Sequence, residues 1–162
     1  MVVYSPRARL TLGERNFLLA ASVVATVGAG LACVMTARLA SDPSSVTAFD
    51  PFTLWTLLAG AVGALVGFFS AHYLWFGHAG ALGWIRCAIG AVWVSGVGSV
   101  TAGTLILPYY GTMFAPFQMI VAMIGAPWLA VLWCGALAAA HRLLIPWRAE
   151  RDSIFYVEEP IV

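Results

Sequence analysis

The chain has 162 residues, of which 62% are hydrophobic and 9% charged, whereas a soluble domain averages roughly half apolar and about a quarter charged. A mean hydropathy of +0.91 and a net charge of +1 leave too little polar surface for a water-soluble globule, and no clustered positive charge able to hold nucleic acid. The composition is that of an integral membrane protein whose partner is the lipid bilayer, with no nucleic-acid partner.

All eight basic residues are Arg, Lys is absent and Asn16 is the only Asn, a usage that points to a GC-rich bacterial genome. Cys33, Cys87 and Cys134 have no metal-ligand or CxxC spacing and read as small packing residues.

A membrane-crossing helix needs about 20 predominantly apolar residues, and four stretches supply them. The first, at 17–37, follows a cytoplasmic segment over 1–16 in which Thr11 and Glu14 form a capping box that starts the helix a turn early. No cleavable leader is expected, because the apolar run is too long for one and lacks a small-residue cleavage site. The second, at 52–75, opens with Asp50 as N-cap and Pro51 at N1. The third is expected at 82–107, with its apolar core from Cys87 to Leu107. The fourth is expected at 117–142, opened by Pro116 and kinked at Pro127, which removes a hydrogen bond and collides with the carbonyl of Met123. The transmembrane domain then covers 17–147 and a cytoplasmic tail 148–162. The fold class is therefore an all-α membrane protein with four transmembrane helices in an antiparallel bundle.

Arg7, Arg9, Arg15, Arg86, Arg142, Arg148 and Arg151 fall on one side of this threading and only Arg38 on the other. The positive-inside rule puts both termini in the cytoplasm of a bacterial inner membrane. Trp75, Trp84 and Trp147 mark the inner interface, and Trp55, Tyr109 and Tyr110 the outer one. Pro51 to Gly60 and Pro116 to Gly125 share an offset, which raises a weak duplication of a two-helix hairpin.

None of the four apolar cores carries an acidic or basic side chain, which argues against proton-coupled chemistry in the bilayer. No reaction motif is present, so the chain reads as non-catalytic. His72 and His141, near the inner ends of helices two and four, are candidate axial ligands for haem, or either could bind the magnesium of a chlorophyll-type pigment; His78 lies in the loop between helices two and three. The small residues Ala91, Ser95, Ser99 and Gly103 recur every four positions on helix three, and Gly63 and Gly67 form a GxxxG on helix two. Such faces pack helices two and three together or dock another subunit.

The uncharged segment 107–116, with Tyr109 and Tyr110, reads as an outer loop lying on the bilayer or against a partner. In the tail, Ile154, Phe155, Tyr156 and Val157 form a β-prone run suited to a cytosolic partner. Three functions follow as expectations. The chain is an accessory subunit of a larger bioenergetic or transport complex, a haem- or pigment-binding protein using His72 and His141, or a small-solute transporter or channel acting as a homo-oligomer.

Overall fold

The computed structural model describes residues 10–39 and 50–155. Among these the chain is all-helical, with α1 (Leu12–Leu39), α2 (Pro51–Trp75), α3 (Gly80–Ile106), α4 (Tyr110–Gly125) and α5 (Pro127–Phe155). Four of the five are long and apolar enough to cross a membrane, and α4 is the shorter exception. The protein is a multi-pass membrane protein.

The local starts follow the side chains. Glu14 accepts from the Thr11 backbone N–H at 2.9 Å while Thr11 Oγ1 accepts from the Glu14 N–H at 3.2 Å, a reciprocal cap. It begins α1 at Leu12, five residues before the apolar run at Phe17. Asp50 accepts from the Phe52 and Thr53 N–H groups ahead of Pro51. Asp50→Ala is expected to lower the thermal unfolding temperature in detergent through loss of about 1 kcal/mol, whereas Asp50→Asn retains the cap.

The expected fourth helix over 117–142 is replaced by two helices. Pro116 lies inside α4 and opens nothing, while Pro127 is the first residue of α5. Ala126 between them is not helical, with φ −145° and ψ 82°. A proline-bearing break thus becomes a full interruption, because Pro127 has a fixed φ suited to N1 and no N–H to continue α4. The expected outer loop over 107–116 is correspondingly cut to Leu107, Pro108 and Tyr109. The α5 helix also runs on through Phe155, so Ile154 and Phe155 are helical, not extended; Tyr156 and Val157 lie outside the described residues. Because Pro51 starts α2 while Pro116 is interior to α4, the two prolines hold inequivalent positions in their hairpins.

Tyr109 adopts φ 71° to turn the chain from α3 into α4, a region that disfavours a bulky side chain by about 1–3 kcal/mol. Tyr109→Gly is expected to raise the unfolding temperature, whereas Tyr110→Gly, in the first turn of α4, lowers it by removing a helical side chain. Equal effects of the two changes would discount strain at the turn.

Close approaches define how the long helices meet. Gly28 on α1 lies against Gly60 and Ala64 on α2; Gly63 and Gly67 on α2 lie against Gly98 and Val94 on α3; Gly13 on α1 meets Glu150 on α5. Ser95 on α3 bonds Trp133 on α5, and Trp84 on α3 stacks on His141 of α5. In each pair rising numbers on one helix meet falling numbers on the other, so the neighbours run antiparallel. The helices form the circuit α3, α2, α1, α5, closed between α5 and α3 by long side chains rather than by small ones. Val24, Phe68, Val94, Leu129, Leu137 and Leu144 fill the interior.

The two ends of the bundle differ. At the end carrying the start of α1 and the end of α5, Gly13 N–H donates to Glu150 at 2.7 Å, and Arg148 Nη1 donates to the Tyr73 and Phe76 carbonyls at 2.9 and 3.1 Å. Arg148 thereby caps the C-terminus of α2. At the opposite end, Gly111 of α4 is pressed on Gly103 of α3 and Thr112 Oγ1 lies 2.8 Å from Thr104 Oγ1. The later turns of α4 face Met35 and Arg38 at the C-terminus of α1. Both halves of α4 therefore touch far-end residues, and the helix lies across that end. Its 16 residues extend about 24 Å.

Candidate functional site

The α3 face is divided between neighbours. Val94 and Gly98 meet Gly63 and Gly67, so α2 packs on the line one step from the regular Ala91, Ser95, Ser99, Gly103 stripe. That stripe turns elsewhere. The Ala91 carbonyl accepts from Ser95 Oγ, and Ser95 Oγ accepts from Trp133 Nε1 at 2.8 Å. Gly103 is closed by Gly111, and Ser99 faces a cavity. Gly63, Gly67 and Gly103 are buried inside this one chain.

The cavity has a volume of about 340 Å³, within the range of small-ligand sites. It exists because α5 is held off α3 by the Trp133 indole while the residues of α3 opposite it are small. Trp133 with Val94 and Ser95 forms its floor; Gly28 and Gly60 form a side, and Ala115 and Gln118 of α4 lie at the roof. The lining is mostly apolar. Ser95, Ser99 and Thr36 each donate to a carbonyl of their own helix, so their hydroxyls remain as acceptors. A second pocket of about 380 Å³, lined by Arg38, Phe117 and Val121, shares Met35 and Gln118 with the first.

The two histidines are not brought face to face. His72 sits among Phe17, Phe68, Phe69 and Trp147, with Nδ1 2.8 Å from the Phe69 carbonyl. His141 is completely buried against Trp84 and Phe76. Phe68 and Phe76 stand in series between the two imidazoles, in the slab that a shared macrocycle would occupy. The tautomers also differ. Gly77 N–H donates to His141 Nδ1 at 3.3 Å, which leaves the proton on Nε2, a nitrogen with no partner among the described residues. A metal-binding Nε2 needs the reverse arrangement, with Nδ1–H donating. His72 Nδ1 donates to the Phe69 carbonyl, whereas His141 Nδ1 accepts from the Gly77 N–H. Among the described residues no three His, Cys, Asp or Glu side chains converge on one point.

The end that carries the start of α1 and the end of α5 is crowded with Arg. Arg86 donates to His78, Arg142 lies over Trp84, and Arg151 lies over Tyr73 and Trp147. His78, in the turn between α2 and α3, is held below the usual imidazole range by burial first and then by Arg148, opposed by the Leu74 carbonyl, with smaller effects of Arg86 downward and Asp152 upward. A depressed His pKa means that the folded state resists the proton that the unfolded chain accepts. Stability is therefore expected to fall as pH drops below about 6.5, and His78→Gln should flatten that part of the unfolding-temperature profile.

Tyr109 and Tyr110 are exposed at the far end. Sequence reasoning overlooked Trp133 and Gln118 as site residues. Gln118 is the only Gln of the chain, set in an apolar stretch, and that isolation was the available signal. Trp133 carried none, since one more aromatic in an apolar helix is ordinary. No family model matches the chain, and no curated protein or solved structure shows significant similarity to it.

Proposed function

We propose that this chain is a non-catalytic accessory subunit of a larger complex in a bacterial inner membrane, with both termini cytoplasmic, and that it docks through α4. The observation that carries the reading is the outward seam of that helix. Tyr110, Met113, Phe117, Ile120 and Ile124 are each more than half exposed and recur at alternating spacings of three and four, the pattern of a helix-packing seam. A helix resting at a membrane surface turns a charged or polar face to water, yet α4 has no charged residue, Thr112 is engaged with Thr104 and Gln118 faces the cavity. Covering by a partner helix accounts for a seam with no polar side. The glycine and serine faces that sequence reading offered for docking are engaged within the chain, which moves the contact to α4, Tyr109 and Tyr110.

Orientation is supported by where the Arg residues gather. Arg15, Arg86, Arg142, Arg148 and Arg151 share one end with the start of α1, and Arg38 alone marks the other. With single cysteines introduced, an impermeant thiol reagent on intact cells should label Ser44→Cys and spare Ser153→Cys; the reverse pattern would invert the threading.

The docking test is co-purification in mild detergent followed by native gel analysis. Met113→Lys together with Ile120→Lys should release the subunit from its complex while leaving its amount in the membrane and its unfolding temperature near the wild-type values. Migration of the wild-type chain as a lone monomer sinks the proposal, and migration as a homodimer that the substitutions dissociate replaces the larger complex with a second copy. The pigment reading is not favoured, given the His141 tautomer. A solute-handling role finds support in the cavity alone.

A further inference from the structure

The two pockets share Met35 and Gln118 and so adjoin, and together their linings run from Arg38 at the far rim to Trp133 in the interior. Along α3 the path reaches from Leu107 down to Ser95, a run of about 18 Å. Its lining is mostly apolar, and the Gln118 amide and the Arg38 guanidinium lie together at the rim. The side chains on the floor are Val94 and the indole of Trp133, whose N–H is already bonded to Ser95, so the deep end offers no free donor. A compact polar solute has nothing to bind there, and water is poorly held in an apolar cavity. The shape and polarity fit one extended hydrocarbon chain ending in an oxygen anion.

We infer that this path holds a single-chain anionic amphiphile, its hydrocarbon tail seated on Trp133 and its oxyanion at Arg38 and Gln118. Arg provides a forked donor suited to a carboxylate or phosphate, and the Gln amide adds a further N–H. The glycines and alanines lining the tail let it run close to backbone, as small residues do between helices in lipid. Roofing by Gly111 and Ala115 of α4 keeps the tail inside the bundle. The ligand path shares Phe117 with the docking seam at its mouth, but the two seam positions chosen for substitution, Met113 and Ile120, are not in its lining, so the docking test and the ligand test can fail separately.

The same chemistry has two sources, a free long-chain carboxylate or the chain of a phospholipid, and extraction distinguishes them. The full chain is purified in mild detergent, and the bound material is quantified by native mass spectrometry and solvent extraction. About one amphiphile per chain is expected at saturation, and its mass identifies the source. After detergent stripping, sodium palmitate and palmitoyl-lysophosphatidylglycerol serve as probes, and the unfolding temperature should rise with at least one of them. Ser99→Phe, which puts a ring into the cavity, should weaken that binding by about tenfold or more, whereas Val92→Phe on the lipid-facing side of α3 should not. Arg38→Gln should weaken it several-fold without altering the unfolding temperature of the stripped protein. Failure of both probes to bind stripped wild-type protein overturns the inference, as does equal binding by Ser99→Phe and Val92→Phe. If Ser99→Phe does not fold, Arg38→Gln and Gln118→Leu decide, and wild-type affinity in both rejects the site.

Discussion

Gly67→Leu is expected to abolish the folded bundle, with loss of monodisperse protein in detergent and no cooperative unfolding transition. A Cβ at Gly67 would lie 2.6 Å from the Val94 carbonyl oxygen and 3.1 Å from the Gly98 nitrogen, and one at Gly63 would lie 2.5 Å from the Gly98 carbonyl oxygen. These neighbours are backbone atoms of a helix, which cannot rotate aside as a side chain can. The two helices must separate, and every contact along α2 and α3 lengthens with them. Overpacking in an interior typically destabilises by about 1–3 kcal/mol and more where the surroundings are rigid, against a total stability of roughly 5–15 kcal/mol. Since the atoms met at Gly67 are backbone atoms of α3, the effect belongs above that range. Gly96→Leu on the same α3 helix is the control, because nothing lies within 4 Å of the Cβ it would add. That variant should unfold at or above the wild-type temperature, given the poor helix propensity of Gly. Matching behaviour of Gly67→Leu and Gly96→Leu would remove the α2–α3 seam from the account of this fold.

His141→Ala is expected to be the second most damaging change, and His141→Leu far milder. The imidazole is fully buried between Trp84 and Phe76, so truncation to Ala leaves a cavity costing about 2–5 kcal/mol, as other large-to-small changes do. It also strips the Gly77 N–H of its acceptor, which adds about 1–3 kcal/mol where water cannot reach. Leu fills most of the volume and still orphans Gly77, but it removes the Nε2–H that has no partner among the described residues. One unsatisfied donor, Nε2–H, is thus exchanged for another, the Gly77 N–H, and the polar terms roughly cancel. Thermal unfolding of the three proteins in one detergent separates the terms. A His141→Leu variant as unstable as His141→Ala would show that Nε2 has a native partner outside the described residues.

Gly77 holds the end of α2 in the same region. It adopts φ 78°, and a Cβ there would meet the Leu144 carbonyl oxygen at 2.8 Å, so the turn that presents its N–H to His141 also requires glycine. The backbone conformation at Gly77, the His141 tautomer and the Arg148 bonds to the Tyr73 and Phe76 carbonyls depend on one another, which explains why a histidine buried this deeply is tolerated.

Composition alone determined that lipid is the solvent of this protein, because 9% charge cannot cover a globule in water. Local chemistry likewise set two helix starts, since Thr11 with Glu14 and Asp50 with Pro51 act on backbone groups within three residues. The number of long apolar helices and the bounds of the first three were legible for the same reason, as apolar length is a local property, whereas the fourth was expected at 117–142 and runs instead from Pro127 to Phe155. Tertiary structure alone decided the rest. Whether Pro127 kinks a helix or starts a new one depends on what holds α4 in place, and that is the distant meeting of Gly111 with Gly103. The stripe of Ala91, Ser95, Ser99 and Gly103 shows its spacing in sequence but not its neighbour, and a shift of one residue around α3 gave the α2 contact to Val94 and Gly98. The cavity was invisible for a related reason. It is a gap between α3 and α5 set by the reach of Trp133 to Ser95, and space that no residue occupies leaves no mark on the order of the residues around it.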